Sequence, residues 1–250
     1  MNSEDSTAPN SQFTFHRIHG SRIRLSNSSK TATRLEAAKF YDNGVVYSAL
    51  PLSGHAKFVV QAQELAVGWS GSFKIGVILI SPEVFKDGFQ PPSSSSRYWL
   101  TQERFVTECC FPFLHRYRYS PAMPHSWVWS SLSLHVGQDL KISYGSVNLE
   151  DLKKGDKLGM EISREGTLQF LVNDRSQGAA ATNVYSTDKL VYGFVDHYGQ
   201  AVTSTIAEAF VNPFSLQHLC KRKILTGLTS NVSKLEPYLP TPLIAFLADT

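Results

Sequence analysis

The sequence has few cysteines and no long apolar run. These two absences exclude several classes of protein. Its 250 residues include 3 cysteines, which are too few for a disulfide framework and lack the paired Cys-x-x-Cys spacing of a zinc site. No apolar stretch approaches the roughly 20 residues that cross a bilayer, and residues 1–30 lack the apolar core of a secretion signal. We therefore expect a cytoplasmic protein that has no membrane span, metal or cofactor.

The sequence also lacks a large excess of charge of either sign. The formal net charge is +3, from 24 Lys and Arg against 21 Asp and Glu. Proteins that bind nucleic acid usually concentrate a larger basic excess on one face, so nucleic acid is not expected as a partner. Hydrophobic residues make up 42% of the chain and charged residues 18%, which are values typical of globular domains.

Short apolar runs separated by Gly, Asn, Asp and Pro recur along the chain and indicate a β-sheet protein. We predict strands at 13–25 around Gly20, 45–47, 58–60, 73–80, 155–162, 168–172, 190–195 and 201–206. No long helical pattern lies between them, so the chain is predicted to be an antiparallel β-sandwich over 13–211. Residues 90–131 predict a Ser/Pro loop followed by aromatic strands. Residues 1–12 are polar and predict a flexible tail.

The last part of the chain, 212–250, carries two short patterns in a fixed order. In the first, Ser215 can cap a helix whose apolar stripe is formed by Leu216, Leu219, Cys220 and Ile224,. The opposite face of this helix is basic. These residues fit a motif that consists of a small residue, Leu, three residues of any kind, Cys, three of any kind and an aliphatic residue.

The second pattern follows after a short interval. Pro240 blocks an incoming helix, and Pro242 fits the first position of a new one. Leu243 and Leu247 then share a face of that helix, and Leu239 precedes it. The two patterns together, in this order, resemble a SOCS box. The resemblance implies that the first helix binds Elongin B/C and that the second segment, of the Leu-Pro-x-Pro-Leu type, binds Cullin-5.

The sandwich region carries a second resemblance, to the Neuralized homology repeat, a family with a SPRY-like sandwich fold. The residues that carry it are Phe15-His16-Arg17-Ile18-His19-Gly20, Asn43-Gly44, Pro51-Leu52, His55, Gly68-Trp69-Ser70-Gly71-Ser72, Gly166-Thr167-Leu168 and Val195-Asp196-His197-Tyr198-Gly199. Other members of this family end in a RING finger. This chain has no cluster of the eight or so Cys and His ligands that a RING needs.

The two resemblances together imply a non-catalytic substrate receptor of a ubiquitin ligase. The sandwich would hold an unknown target protein, and the tail would recruit Elongin B/C and Cullin-5 with its RING partner. A binding module whose terminal helices merely pack on its own sheet, with no ligase connection, remains the main alternative. A hydrolase is a further one, because Gly68-Trp69-Ser70-Gly71 has part of a nucleophile elbow. However, Ser72 stands where the second Gly should be, so we interpret the segment as a tight turn beside a core Trp.

The target site is predicted on loops rather than on a sheet face. Tyr41 and Asn43 lie in one predicted turn and Tyr198 in another. Loop tyrosines lose little entropy on binding and offer both apolar area and a hydroxyl. In the alternative that the sequence leaves open, Tyr41 and Tyr198 pack back onto the sheet ends.

Overall fold

The computed structural model describes residues 13–41, 43–79, 81–85, 126–136, 140–185 and 190–212, together with Cys220 and Pro240. The predicted flexible tail at 1–12 and the predicted helices of 212–250 lie outside the described residues, apart from those two positions and Asn212. Two antiparallel seven-stranded sheets pack face to face, as predicted for an all-β sandwich.

The described residues form fourteen strands, which are short except for two. In chain order they are β1 Phe15–His19, β2 Ile23–Ser26, β3 Thr31–Arg34, β4 Val45–Ser48, β5 His55–Leu65, β6 Lys74–Ile78, β7 Ser126–Ser130, β8 Ser133–Val136, β9 Leu140–Ser143, β10 Lys157–Ile162, β11 Leu168–Val172, β12 Arg175–Ala181, β13 Tyr192–Asp196 and β14 Ala201–Asn212. Short 3-10 helices lie at Pro82–Phe85 and Leu149–Asp151.

The first sheet has the order β1-β4-β13-β6-β7-β8-β9, and the second has the order β12-β11-β10-β5-β14-β3-β2. The long strands β5 and β14 pair with each other along most of their length. Most of the predicted strands are confirmed, including the hairpin of β10 and β11 around Gly166. The aromatic strand predicted near the end of 90–131 is confirmed as β7, which carries Trp127 and Trp129.

Two strands of the second sheet were not predicted because their sequences lack apolar alternation. β3 reads Thr-Ala-Thr-Arg, and its inward positions are Ala32 and the buried Arg34. β12 is a mostly exposed edge strand of small and polar residues. The segment after β9 holds it to its neighbour β11, because the Tyr144 hydroxyl donates to the Gly178 carbonyl at 2.5 Å and accepts from the Phe170 amide at 3.2 Å. This hydroxyl therefore bridges the two strands where their pairing is irregular.

The main core lies between the sheets and contains large aromatic side chains from both. Trp129 of the first sheet packs against Phe170 of the second, with ring centroids 5.8 Å apart. A second buried apolar group has members that alternate along the strands with residues of the main core. Successive side chains of a strand point to opposite faces of the sheet, so this group lies on the outer face of the first sheet. It consists of Tyr47, Ile78, Val128, Tyr192 and Phe194. We call this group the outer apolar cluster.

Candidate functional site

The loops that carry the predicted target residues meet at one end of the sandwich. They are the connections β1–β2, β3–β4, β5–β6 and β13–β14, and strand direction places all four at the same end. Backbone hydrogen bonds join them. The amide of Gly199 donates to the Tyr41 carbonyl at 3.2 Å, and the amide of Gln200 donates to the Gly71 carbonyl at 3.1 Å. The four loops therefore form one connected surface.

Three half-buried aromatic rings pack together on this surface. The ring of Tyr41 lies 5.2 Å from that of Trp69 and 5.6 Å from that of Tyr198, measured between centroids. The indole Nε1 of Trp69 donates to the Ala37 carbonyl at 2.8 Å. We call these three residues the aromatic cluster. Tyr41 and Tyr198, predicted from two separate turns, are thus brought together, and each retains an exposed part.

Trp69 is the member of the cluster that the sequence interpretation placed wrongly. It is half-buried at the surface rather than in the core, because the glycines on either side of it, Gly68 and Gly71, have φ values of +93° and +86°. These left-handed conformations turn the loop outward, and they are open to glycine at little cost. A tryptophan between two glycines, at Gly68-Trp69-Ser70-Gly71, is the sequence signal that could have found it.

Asn43 has a structural role at the base of the same surface. It adopts φ of 59°, a left-handed conformation that Asn tolerates better than most residues, and its carbonyl accepts from the Arg22 amide at 3.3 Å. The next residue must be glycine, because a Cβ on Gly44 would lie 2.3 Å from the carbonyl oxygen of His197. The Asn43-Gly44 turn therefore lets the β3–β4 loop approach the β13–β14 loop closely.

One buried guanidinium ties these loops to the second sheet. Arg34, at the end of β3, is only 1% exposed. Its Nε donates to the Ala201 carbonyl at 3.1 Å, and its two terminal nitrogens donate to the carbonyls of Phe40 and Gly199. Phe40 precedes Tyr41 and Gly199 follows Tyr198, so the same side chain fixes both tyrosine loops.

His197 forms a second buried link beneath the cluster. Its Nδ1 lies 3.0 Å from the Gly44 carbonyl and its Nε2 lies 2.8 Å from the Ser204 hydroxyl. Since a carbonyl can only accept, Nδ1 carries the proton and Nε2 accepts from Ser204. Burial lowers the pKa of His197 to about 4, against the raising effect of its hydrogen bond to Gly44. The ring is therefore neutral at physiological pH.

A lysine lies under the ring of Tyr198. The Nζ of Lys74 is 3.6 Å from the centroid of that ring and 3.9 Å from Oδ2 of Asp196. Burial lowers the pKa of Lys74 to about 8, partly offset by the carboxylate of Asp196. A cation over a tyrosine face is attracted by the ring quadrupole, so Lys74 helps to hold Tyr198 where it lies.

The predicted Elongin and cullin residues lie outside the described residues, with two exceptions. Cys220 of the first motif is exposed, and so is Pro240 of the second. Their assignments, like the target-binding role of Tyr41, Asn43 and Tyr198, stay predictions.

The described ranges contain no group of three or more His, Cys, Asp or Glu side chains that could hold a metal ion. Across these same ranges, no helix is long and apolar enough to cross a membrane.

Comparison with known proteins gives a match over most of the sandwich. A family model described as Neuralized matches residues 15–208. Over 68 residues the chain is 37% identical to Neuralized-like protein 2 of Homo sapiens, and 35% identical to the protein of that name from Mus musculus. These matches cover 27% of this chain and only 23% of each relative's length.

Two solved structures share the architecture. The crystal structure of the Drosophila melanogaster Neuralized NHR1 domain has a TM-score of 0.50 and 15% identity, over 78% of this chain and 98% of that one. The solution structure of the NHR domain in Neuralized from the same fly has a TM-score of 0.50 and 17% identity, over 83% and 96% of the two chains. At these identities the likeness shows the fold alone.

Replacing Arg34 should destabilise the whole sandwich. Arg34→Met removes the donor from three carbonyls, and a buried polar group left unsatisfied costs about 1–3 kcal/mol. We expect the free energy of unfolding in urea to fall by at least about 3 kcal/mol. The control is Arg24→Met, an exposed arginine on the neighbouring strand β2, which should change it by less than about 0.5 kcal/mol. Similar losses in the two variants would contradict the role given to Arg34.

His197 should make stability fall in mild acid. Its pKa is lowered in the folded protein, so below about pH 6.5 the unfolded chain binds the proton first and stability is lost down to about pH 4,. At pH 4.5 the loss from this group should be roughly 2–3 kcal/mol relative to pH 7. We expect His197→Asn to show a correspondingly smaller difference between urea unfolding at the two values. An unchanged difference would mean that His197 is not buried in its neutral form.

Proposed function

This chain belongs to the Neuralized family, and on that premise we propose that it is the substrate-recognition subunit of an Elongin B/C–Cullin-5 ubiquitin ligase. Its Neuralized domain is a protein-binding module with a SPRY-like sandwich, and in the proposed complex this domain holds the target. The observation that carries the ligase connection is the ordered pair of motifs, Ser215 to Ile224 and Leu239 to Leu247. Such a complex would work in the cytoplasm.

The direction of β14 supports a division of labour between the two ends of the sandwich. This strand begins at Ala201, next to the aromatic cluster, and ends at Asn212, where the tail begins. Its 12 residues span roughly 35 Å at about 3.3 Å per residue. The chain therefore leaves β14 at the end away from the cluster, and in the proposed complex the aromatic end is available to a target.

The aromatic cluster has the properties of a recognition surface on a rigid base. Tyr41, Trp69 and Tyr198 keep exposed parts, while Arg34 and His197 fix the loops of the two tyrosines from below. Tyrosine and tryptophan are enriched among the residues that contribute most to binding. Preorganised loops lose less conformational entropy when a partner binds. Val67, which is 99% exposed on the same loop as Trp69, adds apolar area beside the cluster.

The proposed mechanism is proximity. The chain brings a lysine of its target close to the activated thioester carried by the ligase, which raises the effective concentration of the two reactants. No residue of this chain takes part in the transfer itself. The exposed side chain of Cys220 suits the first motif, because a residue that enters a pocket on a partner must be accessible before binding.

The ligase connection is tested by binding to purified Elongin B/C. Burying a Leu side chain contributes roughly 1.5–3 kcal/mol, so Leu216→Lys combined with Cys220→Lys should weaken the complex at least about thirtyfold, as measured by calorimetry. Two controls are matched to it. Lys223→Ala changes the basic face of the same helix, and Pro240→Ala with Pro242→Ala should spare Elongin B/C but reduce capture of Cullin-5. If the double lysine variant binds Elongin B/C with full affinity, the ligase connection is wrong. The alternative, a binding module with no ligase connection, would then take its place.

The target end is tested by single changes in the cluster. Tyr41→Ala and Tyr198→Ala should each lower the free energy of unfolding by only about 1 kcal/mol, because the rings are half-buried, yet abolish ubiquitination of a co-purified target. The control is Leu190→Ala, since Leu190 is 54% exposed and precedes β13 at the opposite end. A fall in stability as large as that of a core truncation, about 3 kcal/mol or more, would show that the tyrosines serve the fold instead.

A further inference from the structure

Lys74 is a buried cation that finds no hydrogen-bond acceptor in the described part of the chain. It is the first residue of β6 and is 3% exposed, and its Nζ has no hydrogen-bond partner. The nearest carboxylate oxygen, Oδ2 of Asp196 on the paired strand β13, is 3.9 Å away, which is beyond hydrogen-bond distance. Among the residues that the structure describes, no atom accepts a hydrogen bond from the ammonium, which has three N–H donors,.

Such an arrangement is uncommon. Buried polar groups in folded proteins are almost always hydrogen-bonded, and an ammonium taken out of water without acceptors is especially unfavourable. The ring of Tyr198 attracts the cation, and Asp196 balances its charge, but neither accepts a hydrogen bond from it. The side chain of Lys74 lies on the outer face of the first sheet, away from the main core between the sheets. Packing of that core therefore does not require a lysine at this position.

Lys74, whose ammonium lacks hydrogen-bond acceptors among the described residues, lies directly beneath the aromatic cluster. Tyr198 covers the ammonium and is itself half-exposed. Its ring rests on the backbone of Gly71, where a Cβ would lie 2.7 Å from the ring, and its edge contacts Tyr41. A group that binds at the cluster and shifts the ring of Tyr198 would thus meet three unused donors directly beneath it.

We propose that Lys74 is a specificity-determining residue for the target, and that its ammonium donates to an oxygen acceptor of a target segment bound at the aromatic cluster. This inference rests on the proposed target-binding role of the cluster. A carboxylate and an amide carbonyl share the required chemistry, since each offers lone pairs to an N–H donor. A cationic group is disfavoured by repulsion from Lys74, and an apolar group would leave the donors unsatisfied.

The test uses a random linear peptide library displayed on phage and selected against the full chain. Enriched sequences whose binding is lost in Tyr41→Ala and Tyr198→Ala are synthesised, and each oxygen-bearing residue is replaced in turn by Leu. We expect one replacement to weaken binding to the wild type at least about tenfold, but to Lys74→Met by less than about threefold. This coupling distinguishes direct contact from an indirect effect on the shape of the loops.

Two further proteins complete the experiment. Lys39→Met removes an exposed lysine from the same end of the sandwich and should bind every peptide as the wild type does. If Lys74→Met does not fold, Lys74→Met combined with Asp196→Asn removes both buried charges and takes its place. Replacing an enriched Asp by Asn, or an enriched Asn by Asp, then identifies a carboxylate or an amide carbonyl as the acceptor.

The outcomes separate this inference from the proposed function. If cluster-dependent peptides are enriched but every Leu replacement costs the same on wild type and Lys74→Met, the role of Lys74 is overturned while the target site stands. If no enriched peptide depends on Tyr41 or Tyr198, the target site and the role of Lys74 are both wrong.

Discussion

The burial of one positive charge, on Arg34, is the constraint from which the arrangement of the aromatic end of this sandwich follows. A guanidinium that is shut off from water needs acceptors, and three carbonyls supply them. Because two of those carbonyls, of Phe40 and Gly199, belong to the β3–β4 and β13–β14 connections, satisfying the charge also sets the distance between the loops. The positions of Tyr41 and Tyr198 are thus consequences of an electrostatic requirement below the surface, and the half-exposed rings need not provide their own rigidity.

The buried charge of Arg34 also explains why some strands could be predicted from the sequence and β3 could not. Strands with apolar side chains at alternate positions, such as β10 and β11, were predicted with nearly their observed bounds. β3 was not, because its inward residues are an alanine and Arg34. A strand held by a buried charge has no periodic apolar signal. Similarly, β12 is an edge strand that contributes little to the core, so its small residues read as a loop.

The candidate site was predictable only where turn chemistry exposes it. Tyr41, Asn43 and Tyr198 could be chosen because glycine and asparagine next to them indicate turns, and turns lie at the surface. Trp69 and Lys74 were missed, for different reasons. Trp69 was placed in the core by its hydrophobicity, and Lys74 begins an apolar strand where a lysine ordinarily marks the solvent boundary. Its burial follows from packing between strands and loops that are far apart in the sequence.

The outer apolar cluster gives the two sheets different freedom to change during evolution. Outward positions of the second sheet carry exchangeable ion pairs, such as Lys57 with Glu208 and His55 with Glu161, each at 2.8 Å. Pairs that are partly open to solvent contribute modestly to stability, so drift at these positions is tolerated. In the first sheet, β4, β6, β7 and β13 bury apolar residues on both faces, and few of their side chains can become polar without loss. Divergence within the family should therefore accumulate on one side of the sandwich, while the other side retains the ancestral sequence longer.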